Sequence, residues 1–522
     1  MIKELRKTIE KTNNLQQTEN GALGYSTTGN GLVDLNFSVP SRHSNVKTDD
    51  LMKFDASLET DYIDTVKWMF FLRDIKGGLG ERDSFVNLFL EFWKKHPEDA
   101  LLVLHFVPEY GRWKDLFDML QFIDDDSTLA NGIYNTVIDQ FKEDILNKVN
   151  RKPISLLAKW MPSINSSSKS RRIAVRVCRR MGLTFADYRK SLSELRRYLD
   201  VTEVKTCSNE WGSIDYNKVS SNANARYNNA FYKHDQDRRQ QYLDDLNNPD
   251  KEKKTVMHAE NLYPYEVYAK YSHDYYNRVL DPGVEAMWNN LKNIESVGSC
   301  LVVCDGSGSM TANIPGSKSE AIDVSRSLSV FFSERCSGEY KDKVIEFSRT
   351  PRYIDLSDCG SLFAKVRKLH KYNDCSNTNI EKVFDLVLKT AVDNHLPQTD
   401  LPDSILIVSD MEFDCACEYS VYSYGVNDVA HMQVMNKYKT LFETIGEKWS
   451  ALGYKLPKLV FWNVMSRTNT VPVSENEAGV ILVSGFSVNN IKLVMSGETD
   501  PYKALKTILD GERYTKIEKA LQ

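Results

Sequence analysis

Ser299-Cys300-Leu301-Val302-Val303-Cys304-Asp305-Gly306-Ser307-Gly308-Ser309-Met310 runs a short apolar segment straight into a cluster of hard oxygen donors. Leu301, Val302 and Val303 form the run expected of a strand covered on both faces. At its carboxyl end stand Asp305, Ser307 and Ser309, an Asp-x-Ser-x-Ser spacing on a turn loosened by Gly306 and Gly308. In open α/β sheets the carboxyl ends of the strands are where ligands bind. A carboxylate and two hydroxyls at alternate positions can face one small divalent ion.

Two later segments supply the same chemistry. Ser376-Asn377-Thr378-Asn379-Ile380 precedes an apolar stripe of Ile380, Val383, Phe384 and Val387, which predicts a helix with the Thr378 hydroxyl at its N-terminus. Ser404-Ile405-Leu406-Ile407-Val408-Ser409-Asp410 reads as a second buried strand ending in a carboxylate. The five residues Asp305, Ser307, Ser309, Thr378 and Asp410 resemble the metal-ion-dependent adhesion site of von Willebrand factor A domains. Hydroxyl and carboxylate oxygens suit Mg²⁺ or Mn²⁺, whereas zinc favours thiolate and imidazole. The resemblance implies one exchangeable position open to an anionic oxygen of a partner. The alternative is a degenerate site kept only for folding. Cys415-x-Cys417, near Cys375 by topology, offers a soft-metal site, with no matching histidine pair.

The rhythm around these segments is alternating strand and helix. Strands are expected at 299–304, 343–347, 404–409, 458–464 and 479–484, with helices near 318–335, 379–394 and 430–451. That alternation implies a mostly parallel sheet with helices on both faces. A last helix, 501–510 and beyond, either packs on this domain or reaches back to the preceding one.

Upstream the pattern is helical. Val66, Phe70 and Phe71, then Phe85, Leu88, Phe89 and Phe92, then Leu101, Leu104 and His105, and finally Leu116 and Leu120 recur at helical spacing. Gly77-Gly78, Pro97, Pro108, Pro153 and Pro162 break them. The expected organisation is a polar arm over 1–50, an α-helical repeat over 51–297 and an α/β domain over 298–522. Residues 200–297 are rich in tyrosine, which reads as packing at a domain seam or, alternatively, as platforms for base stacking.

The 522 residues carry a net charge of -5, which advertises no dedicated nucleic-acid binder. Between 151 and 200, however, thirteen basic residues face three acidic ones, a local excess of +10. Ile173, Val177 and Met181 make one helical stripe; Arg172, Arg176 and Arg179 or Arg180 make another. Ser166-Ser167-Ser168-Lys169-Ser170 precedes them, with Arg189, Arg196 and Arg197 one helix later. Such a row is either a phosphate-binding surface or a solvated face of ion pairs. Nine scattered cysteines favour reduced thiols in a cytoplasmic compartment. The N-terminus reads as no secretory signal and no stretch of about 20 apolar residues predicts a membrane span.

Further residues carry a family resemblance: Arg73-Asp74-Ile75-Lys76-Gly77-Gly78-Leu79-Gly80-Glu81-Arg82, Pro108 to Asp115, Trp160-Met161-Pro162-Ser163, Tyr188-Arg189-Lys190 and Glu210-Trp211. Together with the C-terminal cation constellation they look like an uncharacterised family distantly similar to the Ro-type (TROVE) ribonucleoproteins. The resemblance implies a multidomain α and α/β chain. Its helical, HEAT-like repeats would form a ring or arc, joined to a doubly wound, Rossmann-like von Willebrand factor A domain. It implies small structured or single-stranded RNA as partner, on the Arg/Lys row from Arg171 to Arg197; within that row the helical stripe makes Arg172, Arg176, Arg179 and Arg180 the expected contacts. A protein adaptor that captures an acidic partner's carboxylate through the cation is the alternative. Glu81 and Arg82 are expected to pair and fix a helix start. No Walker loop, G-x-S-x-G or H-E-x-x-H occurs, so a non-enzymatic chain is expected.

Overall fold

A computed structural model describes the chain except residues 3–4, 6–8, 10–12, 43–45, 247, 249–254, 274–278, 295, 315–318, 348, 372–377, 415–439, 473–479, 496–497 and 499. Two compact units emerge, and neither is continuous in sequence. One comprises 1–61, 263–280 and 293–508; the other comprises 62–262, 281–292 and 509–522. This departs from the linear division at 50 and 297. The polar N-terminal stretch packs with the sheet, and the last helix with the helical unit.

The sheet unit contains the short antiparallel hairpin β1 (Leu15–Gln17) and β2 (Leu23–Tyr25). Its centre is a six-stranded sheet: β3 (Cys300–Asp305), β4 (Lys343–Phe347), β5 (Arg352–Asp355), β6 (Ser404–Ser409), β7 (Lys458–Asn463) and β8 (Val480–Ser484). The order is β5-β4-β3-β6-β7-β8, parallel throughout except for the β4–β5 edge pair. After β3 the chain turns to one side, to β4, and later returns to the other side of β3 as β6. The β3–β6 border is therefore the topological switch point, where an open sheet leaves a crevice at its carboxyl edge.

The strands sit where their apolar runs demand. Leu301, Val303, Ile405, Ile407, Leu459 and Phe461 point to one face, against Val383 and Phe384 of the helix Glu381–Asp393 and Phe442 and Trp449 of the helix Leu441–Ala451. Ala22, Tyr25, Val33 and Phe37 from the N-terminal segment join the same core. On the opposite face lies the wholly buried helix Ala321–Ser333; its Phe332 ring stands 5.0 Å from that of Trp462. Burying one such side chain contributes about 1.5–3 kcal/mol, which is why alternate residues of each strand are apolar on both sides. One ion pair is shut inside this layer, Arg326 to Glu346 at 3.1 Å.

The β5 strand and the hairpin have no counterpart in the sequence reading. β5 is a four-residue edge strand whose Tyr353 is exposed, so it lacks a buried apolar run. The hairpin owes its shape to glycine. Gly21 has φ +90°, and a Cβ on Gly24 would lie 2.6 Å from Thr470 Cγ2.

The helical unit follows the expected pattern with one correction. Val66, Phe70, Phe71, Phe85, Leu88, Phe89 and Phe92 are buried on the helices Tyr62–Arg73 and Asp83–Lys95. The stripe Leu101, Leu104 and His105 does not hold: Leu101 and His105 are exposed, and Val103, Leu104 and Val107 are buried. The α-helix stops at Val103 and a 3-10 turn covers Leu104–Phe106, so the period of 3.6 lapses there.

The Gly-Gly motif is a packing knot. A Cβ on Gly78 would lie 2.0 Å from the Phe71 carbonyl oxygen. The adjacent Asp74 receives the Arg513 guanidinium and, at 2.9 Å, the Tyr514 hydroxyl. Arg73 is paired with Asp115 at 2.7 Å, both fully buried. Glu81 is buried and Arg82, the residue before the helix Asp83–Lys95, is exposed; the expected pair between them does not form. Four of the described tyrosines of 200–297 serve packing within their own unit. Tyr216 and Tyr242 enclose the buried Arg239 with ring centroids 5.1 and 5.2 Å away, while Tyr265 and Tyr271 abut Phe486 and Phe363.

Candidate cation site and basic helix

The carboxyl edge of the sheet gathers the predicted donors. Asp305 ends β3 and is fully buried; its Oδ1 accepts the Ser307 N–H at 2.9 Å and its Oδ2 accepts the Ser409 hydroxyl at 2.5 Å. Ser307 Oγ and Ser309 Oγ are 3.0 Å apart. Ser309 in turn hydrogen-bonds the buried Asp410 carboxylate, which follows β6. The turn needs Gly306: a Cβ there would meet the buried Glu346 carboxyl group at 2.9 Å.

Thr378 is buried and lies three residues ahead of the helix Glu381–Asp393, with Asn379 rather than Thr378 capping it through Lys382 N at 3.2 Å. Its hydroxyl accepts from Asn20 Nδ2 at 3.2 Å. Ser376 and Asn377 lie outside the described residues, as do Cys375, Cys415 and Cys417. Asp305, Ser307, Ser309 and Asp410 are thus joined in one hydrogen-bonded chain. Thr378 is outside that chain; Asn20, which bonds its hydroxyl, also bonds the carbonyl of Glu412, two residues beyond Asp410.

The electrostatics suit a cation. Burial first, and then the Asp410 charge, push the Asp305 carboxyl upward. Burial likewise raises Asp410, against the Ser309 hydroxyl and the nearby Arg467. Two buried carboxylates that repel each other are stabilised by a positive charge held between them. The donors are two carboxylates and three hydroxyls, all hard oxygens, which fits Mg²⁺ or Mn²⁺. Among the described residues no group of three or more His, Cys, Asp or Glu side chains is poised to hold a metal, so hydroxyls have to complete this set.

Several neighbours escaped the sequence reading. Glu412 is fully buried and accepts the backbone N–H groups of Glu19, Arg467 and Thr468 and the hydroxyls of Ser466 and Thr468. Its oxygens are saturated, so it fixes loops rather than offering a ligand. Arg467 places one guanidinium nitrogen 3.3 Å from Asp410 Oδ2 and the other 2.7 Å from Glu19 Oε2. Glu412 could have been suspected from its place two residues beyond Asp410. Glu19 and Arg467 carry no local signal.

The basic stretch forms the helices Ser168–Arg180 and Phe185–Tyr198. Ile173, Ala174, Val177 and Cys178 are buried, and the arginines lie on the other side. They do not act alike. Arg176 pairs with Asp125, and Arg180 donates to Asn131 Oδ1 at 2.7 Å while stacking 4.3 Å from the Tyr134 ring. Arg172 and Arg179 are exposed and make no ion pair among the described residues, and Arg171 joins them. Arg196 is not part of a second row: it donates to the carbonyls of Ala158 and Met161 and to Ser163 Oγ. No described helix is long and apolar enough to cross a membrane.

Comparison with known proteins places these features in a family. Residues 299–520 match a domain of unknown function, DUF7788. The whole chain is similar to the uncharacterized protein L728 of Acanthamoeba polyphaga mimivirus, 29% identical over 95% of this chain and 87% of that one. It is also similar to the crystal structure of the Deinococcus radiodurans RO (RSR) protein, with TM-score 0.45 and 12% identity over 93% of this chain and 100% of that chain. Residues 18–152 and 133–296 match a second domain of unknown function, DUF2828, and together span more than half of the sequence. The chain belongs to the DUF2828 family.

Proposed function

We propose that the chain is a non-enzymatic binding scaffold whose sheet unit is a von Willebrand factor A-type module holding Mg²⁺ or Mn²⁺. The observation that supports this is the hydrogen-bonded run from Asp305 through Ser307 and Ser309 to Asp410 at the switch point. Asp305 and Asp410 would supply charge, and Ser307, Ser309 and Thr378 neutral oxygens. Two carboxylates only neutralise a divalent ion, so the bound ion retains affinity for an anionic oxygen of an acidic partner. Glu412, the carboxylate two residues beyond Asp410, is saturated by five donor groups from Glu19, Ser466, Arg467 and Thr468 and so is not free to act as a general base. Loss of Mn²⁺ binding in Asp305→Ala tests the reading.

On the helical unit the proposed ligand is RNA, in keeping with the resemblance to Ro-type ribonucleoproteins. Arg171, Arg172 and Arg179 support it, being exposed and free of carboxylate partners among the described residues. Arg176 and Arg180 would serve indirectly, by fixing the helix to the segment around Asp125 and Asn131. Three phosphate contacts give an affinity that falls with salt with a slope of about -2 to -3 on logarithmic axes. RNA affinity across a salt series should therefore lose most of that slope in the Arg171→Glu, Arg172→Glu, Arg179→Glu variant. Equal and shallow slopes in both proteins would leave the cation site as the sole binding function.

A further inference from the structure

The tip of the β1–β2 hairpin is tied to one proposed donor of the cation site and to the segment that follows another. Asn20 donates to Thr378 Oγ1 at 3.2 Å and to the Glu412 carbonyl at 2.6 Å. Glu19 reaches Asp410 through Arg467, whose two terminal nitrogens hold one carboxylate each. The backbone of the tip is firmly tied. Thr18 Oγ1 donates to the Phe413 carbonyl at 2.7 Å, Glu19 N to Glu412 Oε2 at 2.9 Å, and Tyr25 and Val471 exchange two backbone hydrogen bonds of 2.8 Å.

The side chains differ from the backbone in this respect. Glu19 is 43% and Arg467 38% exposed, whereas Asp410 is fully buried. A half-exposed ion pair is worth a factor of roughly 2 to 5 in an equilibrium constant. The Glu19–Arg467 contact can therefore open by side-chain rotation while the hairpin stays in place. What it then presents is a guanidinium fixed at one end on Asp410 and free at the other. A guanidinium fork matches the two oxygens of a carboxylate.

Resting on the cation reading above, we propose that Arg467 and the cation together form the receptor for a partner's carboxylate, and that Glu19 is the resident carboxylate such a partner displaces. Nothing in the five-residue donor set predicts this. It makes Arg467 a specificity-determining residue and Glu19 a built-in competitor, so the site discriminates by charge and by reach rather than accepting any neutral oxygen.

The test uses the full chain, Mn²⁺ and acetate, with water-proton relaxation reporting the exchangeable water on the bound ion. Acetate that reaches the ion displaces water and lowers the relaxation enhancement. In Glu19→Gln the acetate midpoint should fall about threefold relative to the unaltered chain, the size of one half-exposed pair. In Arg467→Gln it should rise, with Mn²⁺ still bound. Identical acetate midpoints in all three proteins, each binding Mn²⁺, would overturn the proposal and leave the cation site standing. Failure of the unaltered chain to bind Mn²⁺ at all would remove the cation reading and this one with it. Circular dichroism spectra that superpose for the three proteins guard against a folding defect at either position.

Discussion

At the scale of single residues, the site is a balance of buried charge. Asp305 and Asp410 are held apart from water; burial raises the proton affinity of both, helped at Asp305 by the Asp410 charge and at Asp410 by that of Glu412, an arrangement that a positive charge between them would relieve. That Asp305, Ser307, Ser309 and Asp410 meet was legible because the first three follow one apolar run at alternate positions and the fourth ends a second such run. Arg467 was not, since it lies 57 residues from Asp410 in sequence and meets it only in the folded chain. His370 illustrates a residue whose role is visible only in three dimensions. Burial, with help from the Arg326 charge, lowers its pKa to about 4. The unfolded chain therefore takes up this proton first, and the contribution to stability is complete above the unfolded value near 6.5. It declines as pH falls from about 6.5 toward about 4. Denaturant midpoints measured through that range should show a smaller acid-side loss in His370→Gln than in the unaltered chain.

At the scale of elements, the apolar runs that predicted strands located them closely. β3, β4, β6, β7 and β8 fall within a residue of the expected ranges because each is apolar on both faces. β5 and the hairpin were missed for the opposite reason: they are short, edge-placed and half polar. The Gly77-Gly78 stretch was visible as a motif but its meaning was not. It allows the helix Glu512–Leu521 to dock on Tyr62–Arg73, with Arg513 and Tyr514 closing on Asp74. Gly78→Ala forces a methyl group into the Phe71 carbonyl and should destabilise the helical unit by about 3 kcal/mol. Chemical denaturation would register this as a lower midpoint. A midpoint unchanged within about 0.5 kcal/mol would show that the knot relaxes freely.

At the scale of the whole molecule, the sequence order of the two units was the least legible feature. A polar, glycine-rich start reads as a free arm, yet Tyr25, Val33 and Phe37 join the core beside β7 and β8, and Asn463 and Ser484 tie to the carbonyls of Phe37 and Asn36. The buried Leu32, Val33, Leu35, Phe37 and Val39 alternate with polar residues that are themselves buried, Asp34, Asn36 and Ser38, so no polar face marks the helix in sequence. The C-terminal helix similarly belongs with residues 62–262, where Asp74 takes Arg513 and Tyr514 and the rings of Phe71 and Tyr110 flank that of Tyr514. Titration of the full chain with Mn²⁺ tests most directly whether the β3–β6 border holds the proposed divalent cation. One site per chain, abolished in Asp305→Ala and Asp410→Ala and competed by Mg²⁺, is the predicted result. Mn²⁺ binding of equal strength in all three proteins, or in none, would contradict it.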